Sequence, residues 1–400
     1  MDEIKSNKFE IFTFVYLTIL ISSASFISEN DILKIVFLGL ITAYAVMKKK
    51  QIYNKCLFYL VCSWILINSL SSVYFGGISF NYQFFGKIVL IYSAFIIYSF
   101  SGDDFWEKYE GFLYKIIKIS FVIYIIWLIK PDVIDSLKPI FEPLTNKIFY
   151  NKESQKNYFY AFFFVNSGRH DFRNCGFMWE PGAYAMVLII LITYNIAKYG
   201  LVLNKRTKLY LLALITTFST AGYLALAIIS TVYFIKIKSI YAKLLFVASM
   251  VIVSYFIFDS QFLLPKVTEF VESAERGNVS HQNYRNLYEA NRILSFSLLF
   301  KKFLMFPLGW GCVEDTTSYL ALNKIVTVNG IGNILVTWGG IMFALFLYAI
   351  YKFYLLLSCS FITSFIFTFS ILLTFFSNPI ENNILFYLLV LTPFYKKLKE

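Results

Sequence analysis

Between Lys324 and Glu381 the chain carries a single charged residue, Lys352. The stretches 329–351 and 353–376 on either side of it contain no charge at all. About 20 apolar residues suffice to cross the roughly 30 Å hydrocarbon core of a bilayer. Lipid offers no partner to backbone polar groups, so a chain that crosses it by apolar runs of this kind does so as helices. Comparable runs lie near 9–28, 31–47, 56–76, 84–100, 112–130, 182–199, 240–258 and 383–395. The run 209–235 is either one long span or two short ones broken at Ser219-Thr220-Ala221-Gly222.

Charge decides between these. With the N-terminus placed in the cytoplasm, the inner segments collect Lys48–Lys50, the cluster Lys205, Arg206 and Lys208, then Lys236, Lys238 and the tail lysines Lys396, Lys397 and Lys399. The short outer turns near 29–31, 77–82 and 377–382 carry no basic residue. This positive-inside pattern persists beyond residue 209 only if 209–235 crosses twice. The expected fold class is therefore all-α: a polytopic membrane protein of about 12 transmembrane helices with both termini cytoplasmic. Residues 1–130 supply five helices, 131–181 a first long outer loop, 182–258 the central helices with the break near 219–222, 259–328 a second long outer loop, and 329–400 three helices and a short basic inner tail. In the first loop, 158–165 (YFYAFFFV) is too short to span and is expected at the interface.

Composition removes other classes. Only 15% of residues are charged and 58% are hydrophobic, against about 25% charge in a soluble domain. This excludes a water-soluble enzyme, a disordered chain and a collagen. The net charge of +12 lacks the basic patch on a polar chain that nucleic-acid binding needs. Five scattered cysteines without a CxxC pair form no disulfide framework, and two histidines without clustered ligands offer no zinc site. No cofactor and no metal are expected. The mixed-charge start MDEIKSNKFE followed by a long apolar stretch reads as a retained span.

The arginines carry the functional signal. Of 36 basic residues 30 are lysines, and five of the six arginines, together with both histidines, fall in the two expected outer loops. The first constellation is NSGRHDFRNCGFMWEPGAYA at 166–185, with Arg169, His170, Arg173 and Glu180. Glu180-Pro181 stands where a helix is expected to begin, so Glu180 is either a cap or a carboxylate held opposite Arg173 to orient a hydroxyl and accept its proton. Arg169 is a headgroup or phosphate contact, and His170 beside Asp171 is an acid/base candidate or a surface-loop residue. Cys175 and Trp179 read as packing residues.

The second constellation is ERGNVSHQNYRNLYEANR at 275–292. Arg285 and Arg292 are seven apart, which puts them on one face of an expected helix over 283–303. Two guanidiniums on one face clamp phosphate oxygens. His281, four residues before Arg285, is a second acid/base candidate. PLGWGC at 307–312 follows, then Asn329 and Asn333, read as a capped helix start. Glu381, with Asn378 and Asn382, is expected in a short outer turn, either solvated or completing the polar cavity, with the solvated turn the preferred reading.

In these motifs the chain resembles the polytopic polysaccharide polymerases that extend O-antigen or capsule repeat units, which are related to the O-antigen ligases. The resemblance is carried by RNCGFMWEPGAYA at 173–185, STAG at 219–222, NRILSFSLLFKKFLMFPLGWG at 291–311 and the following NGIGNILVTWGGI, in that order. It implies action at the outer face of the bacterial cytoplasmic membrane, on a glycan attached to a polyisoprenyl (undecaprenyl) diphosphate, without metal or nucleotide sugar. A growing glycan passes from its carrier to a hydroxyl of an incoming lipid-linked repeat unit. By motif match, Arg173 and Arg292 handle the diphosphate, and Arg285 joins them on the helical-spacing argument. Membrane lipids, a chain-length regulator and a flippase are the implied partners, and nucleic acid is not one. The chain departs from the ligase relatives where they place His-Asn: Val328-Asn329 stands there. That lowers the ligase reading and leaves the general base to be found, with Glu180 the better candidate. The alternatives are a ligase with another acceptor, a lipid-linked oligosaccharide flippase, which calls for charged residues around a central cavity, and a secretion scaffold, which has no use for the arginines.

Overall fold

In the computed structural model of the chain, helices begin where a short polar side chain precedes an apolar run. The structure describes residues 8–23, 25, 27, 30–77, 79–144, 157–160, 163–167, 172–241, 243–244, 288–289, 292–313, 325–378 and 380–395, with backbone alone at 157–160, 166–167 and 288–289. The first helices are α1 (Lys8–Ser22), α2 (Asp31–Met47), α3 (Lys55–Phe75), α4 (Tyr82–Ser101) and α5 (Phe105–Ile129), the last two joined by the 3-10 turn Gly102–Asp104. Asn30, Asn54 and Asn81 each accept a hydrogen bond from the first turn of α2, α3 and α4, satisfying amides that have no partner within the helix. Short helices α6 (Pro131–Asp135) and α7 (Lys138–Phe141) follow, then the antiparallel hairpin β1 (Asn157–Tyr160) and β2 (Phe164–Ser167). The segment expected at the interface thus supplies parts of two strands.

The second half holds α8 (Pro181–Tyr199), α9 (Lys205–Thr216), α10 (Thr220–Lys236), β3 (Tyr288–Glu289), α11 (Arg292–Met305), β4 (Ile325–Val326), α12 (Gly330–Leu356), α13 (Phe361–Ser377), the 3-10 turn Ile380–Asn382 and α14 (Ile384–Tyr395). The break expected near 219–222 is present. Phe218 has φ +48, and Ser219 caps α10 by accepting from the Gly222 amide at 3.3 Å.

The expectation of about 12 transmembrane helices is overturned. Among the described residues four helical stretches are long and apolar enough to cross a membrane: Lys55–Phe75, Tyr82–Ile129, Pro181–Tyr199 and Gly330–Leu356. The reason is length. At about 1.5 Å per residue, the roughly 30 Å core needs about 20 helical residues. Helices α10 and α13 have 17 residues each and α14 has 12. An apolar sequence does not stop where its helix stops: the run 9–28 leaves the helix at Ser22, and the division expected at Lys352 is absent because α12 continues to Leu356. The expected span 240–258 lies mostly outside the described residues. The fold is an all-α protein whose long apolar helices are consistent with membrane association. Large apolar side chains such as Phe58, Leu66, Val73 and Val122 stand exposed on α3 and α5, a surface that water alone would not tolerate at this extent.

Helix α8 is the centre of the packing. Nearly all of it is buried, and it touches α9, α10 and α13. Helix α14 is similarly enclosed against α4 and α12. One ionic cluster pins this core at its lysine-rich end. Glu110 on α5, fully buried, pairs with Arg206 and accepts from Asn195 at 2.9 Å and Tyr210 at 2.6 Å. The cluster therefore joins α5, α8 and α9. Breaking a buried pair from one side leaves an uncompensated charge, costing about 3–5 kcal/mol. Arg206→Ala is accordingly expected to lower the thermal unfolding midpoint of the detergent-purified protein sharply, and Arg206→Leu combined with Glu110→Leu to recover part of the loss. An unchanged midpoint in Arg206→Ala would show that the pair does not hold the helices.

Helix α12 is interrupted at Gly339 (φ +77, ψ 169). The interruption exposes backbone groups that the segment after α11 fills. The amides of Trp310 and Gly311 donate to the carbonyls of Val336 (2.7 Å) and Thr337 (3.0 Å), and the Gly340 amide donates to the Pro307 carbonyl (2.9 Å). Ser71 on α3 donates to the Trp310 carbonyl at 2.7 Å, and the Cys312 amide donates to Asn68 Oδ1 at 2.8 Å. PLGWGC is thus a plug in a broken helix, the kind of shielding that non-helical backbone at membrane depth requires.

Candidate functional site

Asn174 fixes the segment leading into α8. Its amide nitrogen Nδ2 donates to Thr216 Oγ1 at 2.9 Å, its backbone amide donates to the Thr216 carbonyl at 2.9 Å, and its Oδ1 accepts from the Gly176 amide at 2.8 Å. Gly176 turns the chain with φ +54, directly under the Tyr184 ring; a methyl group there would stand 2.3 Å from that ring. The Trp179 amide donates to the Ser22 carbonyl at 3.2 Å. RNCGFMWEP is therefore held from three sides before its charged groups are considered. Cys175 is fully buried, packs with Val165 and Trp179, and burial pushes its thiol well above the ordinary value. It is structural, as expected.

Arg173 lies where α9 ends. Its Nε and Nη2 donate to the carbonyls of Thr217 and Phe218, both at 3.0 Å. These carbonyls belong to the turn that opens between α9 and α10, and a planar guanidinium bridges two of them where an ammonium reaches only one point. The STAG break and the arginine are one feature: the break presents the carbonyls, and the arginine reads them. Glu180 occupies the N-cap position of α8 in extended conformation, yet its side chain makes no capping bond. Its carboxylate and the Asn378 amide both lie beside Gly182. A methyl on Gly182 would lie 3.6 Å from Glu180 Oε1 and 3.5 Å from Asn378 Oδ1. Glu180 thus keeps the N-cap position, where its charge meets the helix N-terminus, and leaves the capping hydrogen bond unmade.

Arg292 begins α11. Its Nη1 donates to the Val328 carbonyl at 2.8 Å, and its own carbonyl accepts from Asn329 Nδ2 at 3.3 Å. Asn329 also donates to the Phe376 carbonyl at 3.1 Å and caps α12 through the Gly332 amide at 2.8 Å. The residue standing in place of the ligase-type motif is thus a hub joining α11, α12 and the end of α13. The helix expected over 283–303 starts only at Arg292, because Tyr288 and Glu289 pair as a parallel strand with Ile325 and Val326. The seven-residue helical spacing that placed Arg285 and Arg292 on one face does not hold, since a strand intervenes. Arg285 itself, with Arg169, His170 and His281, lies outside the described residues.

Arg173 is coupled electrostatically to both Glu180 and Arg292. Burial pushes the Arg173 pKa below the ordinary guanidinium value; Cys175, Glu180 and Tyr223 oppose that shift and Arg292 adds to it. Two arginines far apart in the chain, one on each long polar segment, therefore feel each other and one carboxylate. Both are oriented by carbonyls, so their positive heads are preorganised before any anion arrives. Among the described residues no His/Cys/Asp/Glu cluster suited to a metal is present.

Glu381 is a correction. It is 5% exposed rather than solvated, and Lys87 Nζ from α4 donates to its carbonyl at 2.8 Å and to Asn382 Oδ1 at 2.6 Å. A lone lysine in an apolar run and the first acid after a long uncharged one were the signals that could have paired them. Burial raises the Glu381 carboxyl above its ordinary 4.5, with Lys87 pulling the other way. A raised carboxyl favours the native state in its protonated form. That contribution is complete below about pH 4.5 and is lost as pH rises through the raised value. Glu381→Gln is expected to flatten the fall in unfolding midpoint above pH 4.5. A variant that keeps the wild-type slope would place the titration elsewhere.

The class these features define is an all-α protein with long apolar helices, consistent with membrane association, in which Arg173 is coupled electrostatically to Glu180 and Arg292. No family model, curated protein or solved structure matches the chain.

Proposed function

We propose that the protein is a membrane glycosyltransferase that polymerises polyisoprenyl-diphosphate-linked oligosaccharide repeat units at the outer face of the bacterial cytoplasmic membrane. The observation that carries this reading is the electrostatic coupling of Arg173 to Arg292 and Glu180. When a sugar leaves its diphosphate, negative charge grows on the phosphate oxygens. Guanidiniums held in place stabilise that charge more in the transition state than in the substrate. Glu180 accepts the proton of the attacking hydroxyl as the bond to C1 forms and the bond from C1 to the diphosphate oxygen breaks. The products are the elongated glycan, still on the acceptor's carrier, and the free lipid diphosphate. A chain-length regulator and a flippase are the proteins such an enzyme would work beside.

The buried Lys87 and Glu381 favour a second reading, a lipid-linked oligosaccharide transporter, since charged residues within a helical membrane bundle often line a path. One experiment separates the readings. Protein in vesicles is incubated with lipid-linked repeat units as sole substrate. Elongated lipid-linked glycan is the expected result. Product formed only when a lipid-A core is added would make it a ligase, and transbilayer movement without elongation a transporter.

A further inference from the structure

A pocket of about 450 Å³ opens between α3, α12 and α14. Its body is apolar, built from Leu60 of α3, Met342, Leu345 and Phe346 of α12, and Val390 and Phe394 of α14. The pocket has a direction. Helix α3 enters it with Lys55 and Cys56, its first two residues, and lines it as far as Ser63, about two turns further on. Lys352 stands at the same end as Lys55. It follows Leu345 by seven residues and so shares its face of α12. Its Nζ lies 5.0 Å from the centre of the Phe394 ring, and its charge is felt at Cys56. The pocket is therefore an apolar trough with two ammonium groups at one end.

Charge and exposure together say what such a trough accepts. Three other cations at this end of the bundle are matched with acids: Lys108 with Glu10 at 2.9 Å, Lys198 with Glu107, and Arg206 with Glu110. Among the described residues Lys55 and Lys352 make no ion pair, and no acid lines the pocket. Positive heads beside apolar surface favour an occupant that is an anion at one end and hydrocarbon at the other. The mouth shows where it enters. Tyr59 and Leu345 line the pocket and are 62% and 50% exposed, and they belong to α3 and α12, two of the helices long and apolar enough to cross a membrane. The pocket thus opens on the bilayer side of the bundle rather than on water. Basic pockets between spanning helices at the cytoplasmic side are the kind that hold anionic lipid head groups, and the lysine-rich end is the one that the positive-inside pattern places there.

We propose that this trough seats one acyl chain of an anionic diacyl phospholipid, with the phosphate between Lys55 and Lys352. A lipid held there joins α3 to α12 and α14 along the seam that the pocket leaves open. The proposal rests on membrane association and not on the transfer reading. Arg292 is bonded to Asn329 at the opposite end of α12, so loss of either site leaves the other to be measured.

Cys56 on the pocket wall gives the test. Cys62, Cys312 and Cys359 are replaced by alanine, buried Cys175 is kept, and the full chain is purified in a neutral detergent. Labelling of Cys56 by a small neutral methanethiosulfonate is followed as phosphatidylglycerol is added to the micelles. Phosphatidylcholine with the same chains, undecaprenyl phosphate and inorganic phosphate are added in parallel. The expected result is slowing by about tenfold once phosphatidylglycerol exceeds its half-saturating level by about tenfold, with little effect of the other three. Lys55→Gln combined with Lys352→Gln should require about tenfold or more phosphatidylglycerol for the same protection, since each lysine near an anionic head group contributes to binding. Ser63→Trp, which fills the far end of the trough and keeps both lysines, should remove the protection. The proposal is overturned if Cys56 labels only on unfolding, if phosphatidylcholine or inorganic phosphate protects as well, or if undecaprenyl phosphate protects better. It is also overturned if either variant melts like the parent and keeps parental protection.

Discussion

Arg173→Ala should abolish long glycan chains while leaving the protein in the membrane. Two effects contribute. On the proposed function the guanidinium is lost from the place where phosphate charge would grow, and removal of one preorganised donor to such a charge typically costs about 10²–10³ in rate. The carbonyls of Thr217 and Phe218 also lose their donor, so the turn between α9 and α10 loosens. Arg173→Lys separates these effects, because lysine keeps the charge but bridges no pair of carbonyls. It should retain membrane protein at parental level and elongate far more slowly. Arg292→Ala, which removes the bond to the Val328 carbonyl, should give the same phenotype, and Glu180→Gln a slower enzyme with near-normal substrate affinity. The measurement is the ladder of lipid-linked products by length in each variant. Parental ladders in both Arg173→Ala and Arg292→Ala would sink the assignment of the site.

Gly339→Ala is expected to be worse for folding than any side-chain deletion. At φ +77 and ψ 169 the residue occupies a region open almost solely to glycine, costing an L-residue about 1–3 kcal/mol by itself. A Cβ there would also stand 2.4 Å from both the carbonyl carbon and oxygen of Leu308 and 2.7 Å from the Pro307 oxygen. Those are backbone atoms and cannot step aside without pulling the plug from the broken helix. The Trp310, Gly311 and Gly340 amide bonds would go with it. Little monodisperse protein should survive solubilisation, and what does should melt much earlier than the parent. Gly39→Ala is the matched control: it lies inside α2 with nothing within 4 Å of the added methyl, so it should be neutral or stabilise by up to about 1 kcal/mol. Equal behaviour of the two variants would mean that the interruption of α12 is not required.

Much of the helical layout was legible in the residues. The expected spans 56–76, 84–100 and 182–199 lie within two residues of α3, α4 and α8 at each end, because an asparagine or proline marks each entrance and an apolar run fills each body. The small polar break at Ser219 was legible for the same reason. The count of crossings was not. Hydropathy reports where lipid or core is acceptable, and α13 and α14 sit in core as readily as in lipid. Nor did Lys352 end α12, since one lysine does not interrupt backbone hydrogen bonding. Burial of Glu381 needed a partner 294 residues away in the chain.

By itself the sequence determined that the chain is helical and apolar, where most helices start, and that its arginines gather in two polar segments. Those follow from local rules of capping, helix propensity and transfer out of water. Only the tertiary structure decided that Arg173 is coupled to Arg292 and Glu180, that PLGWGC fills a break at Gly339, and that Lys87 bonds the turn holding Glu381. Each of these depends on contacts between residues distant in sequence. Such contacts are set by how whole helices pack, which no local pattern of residues encodes.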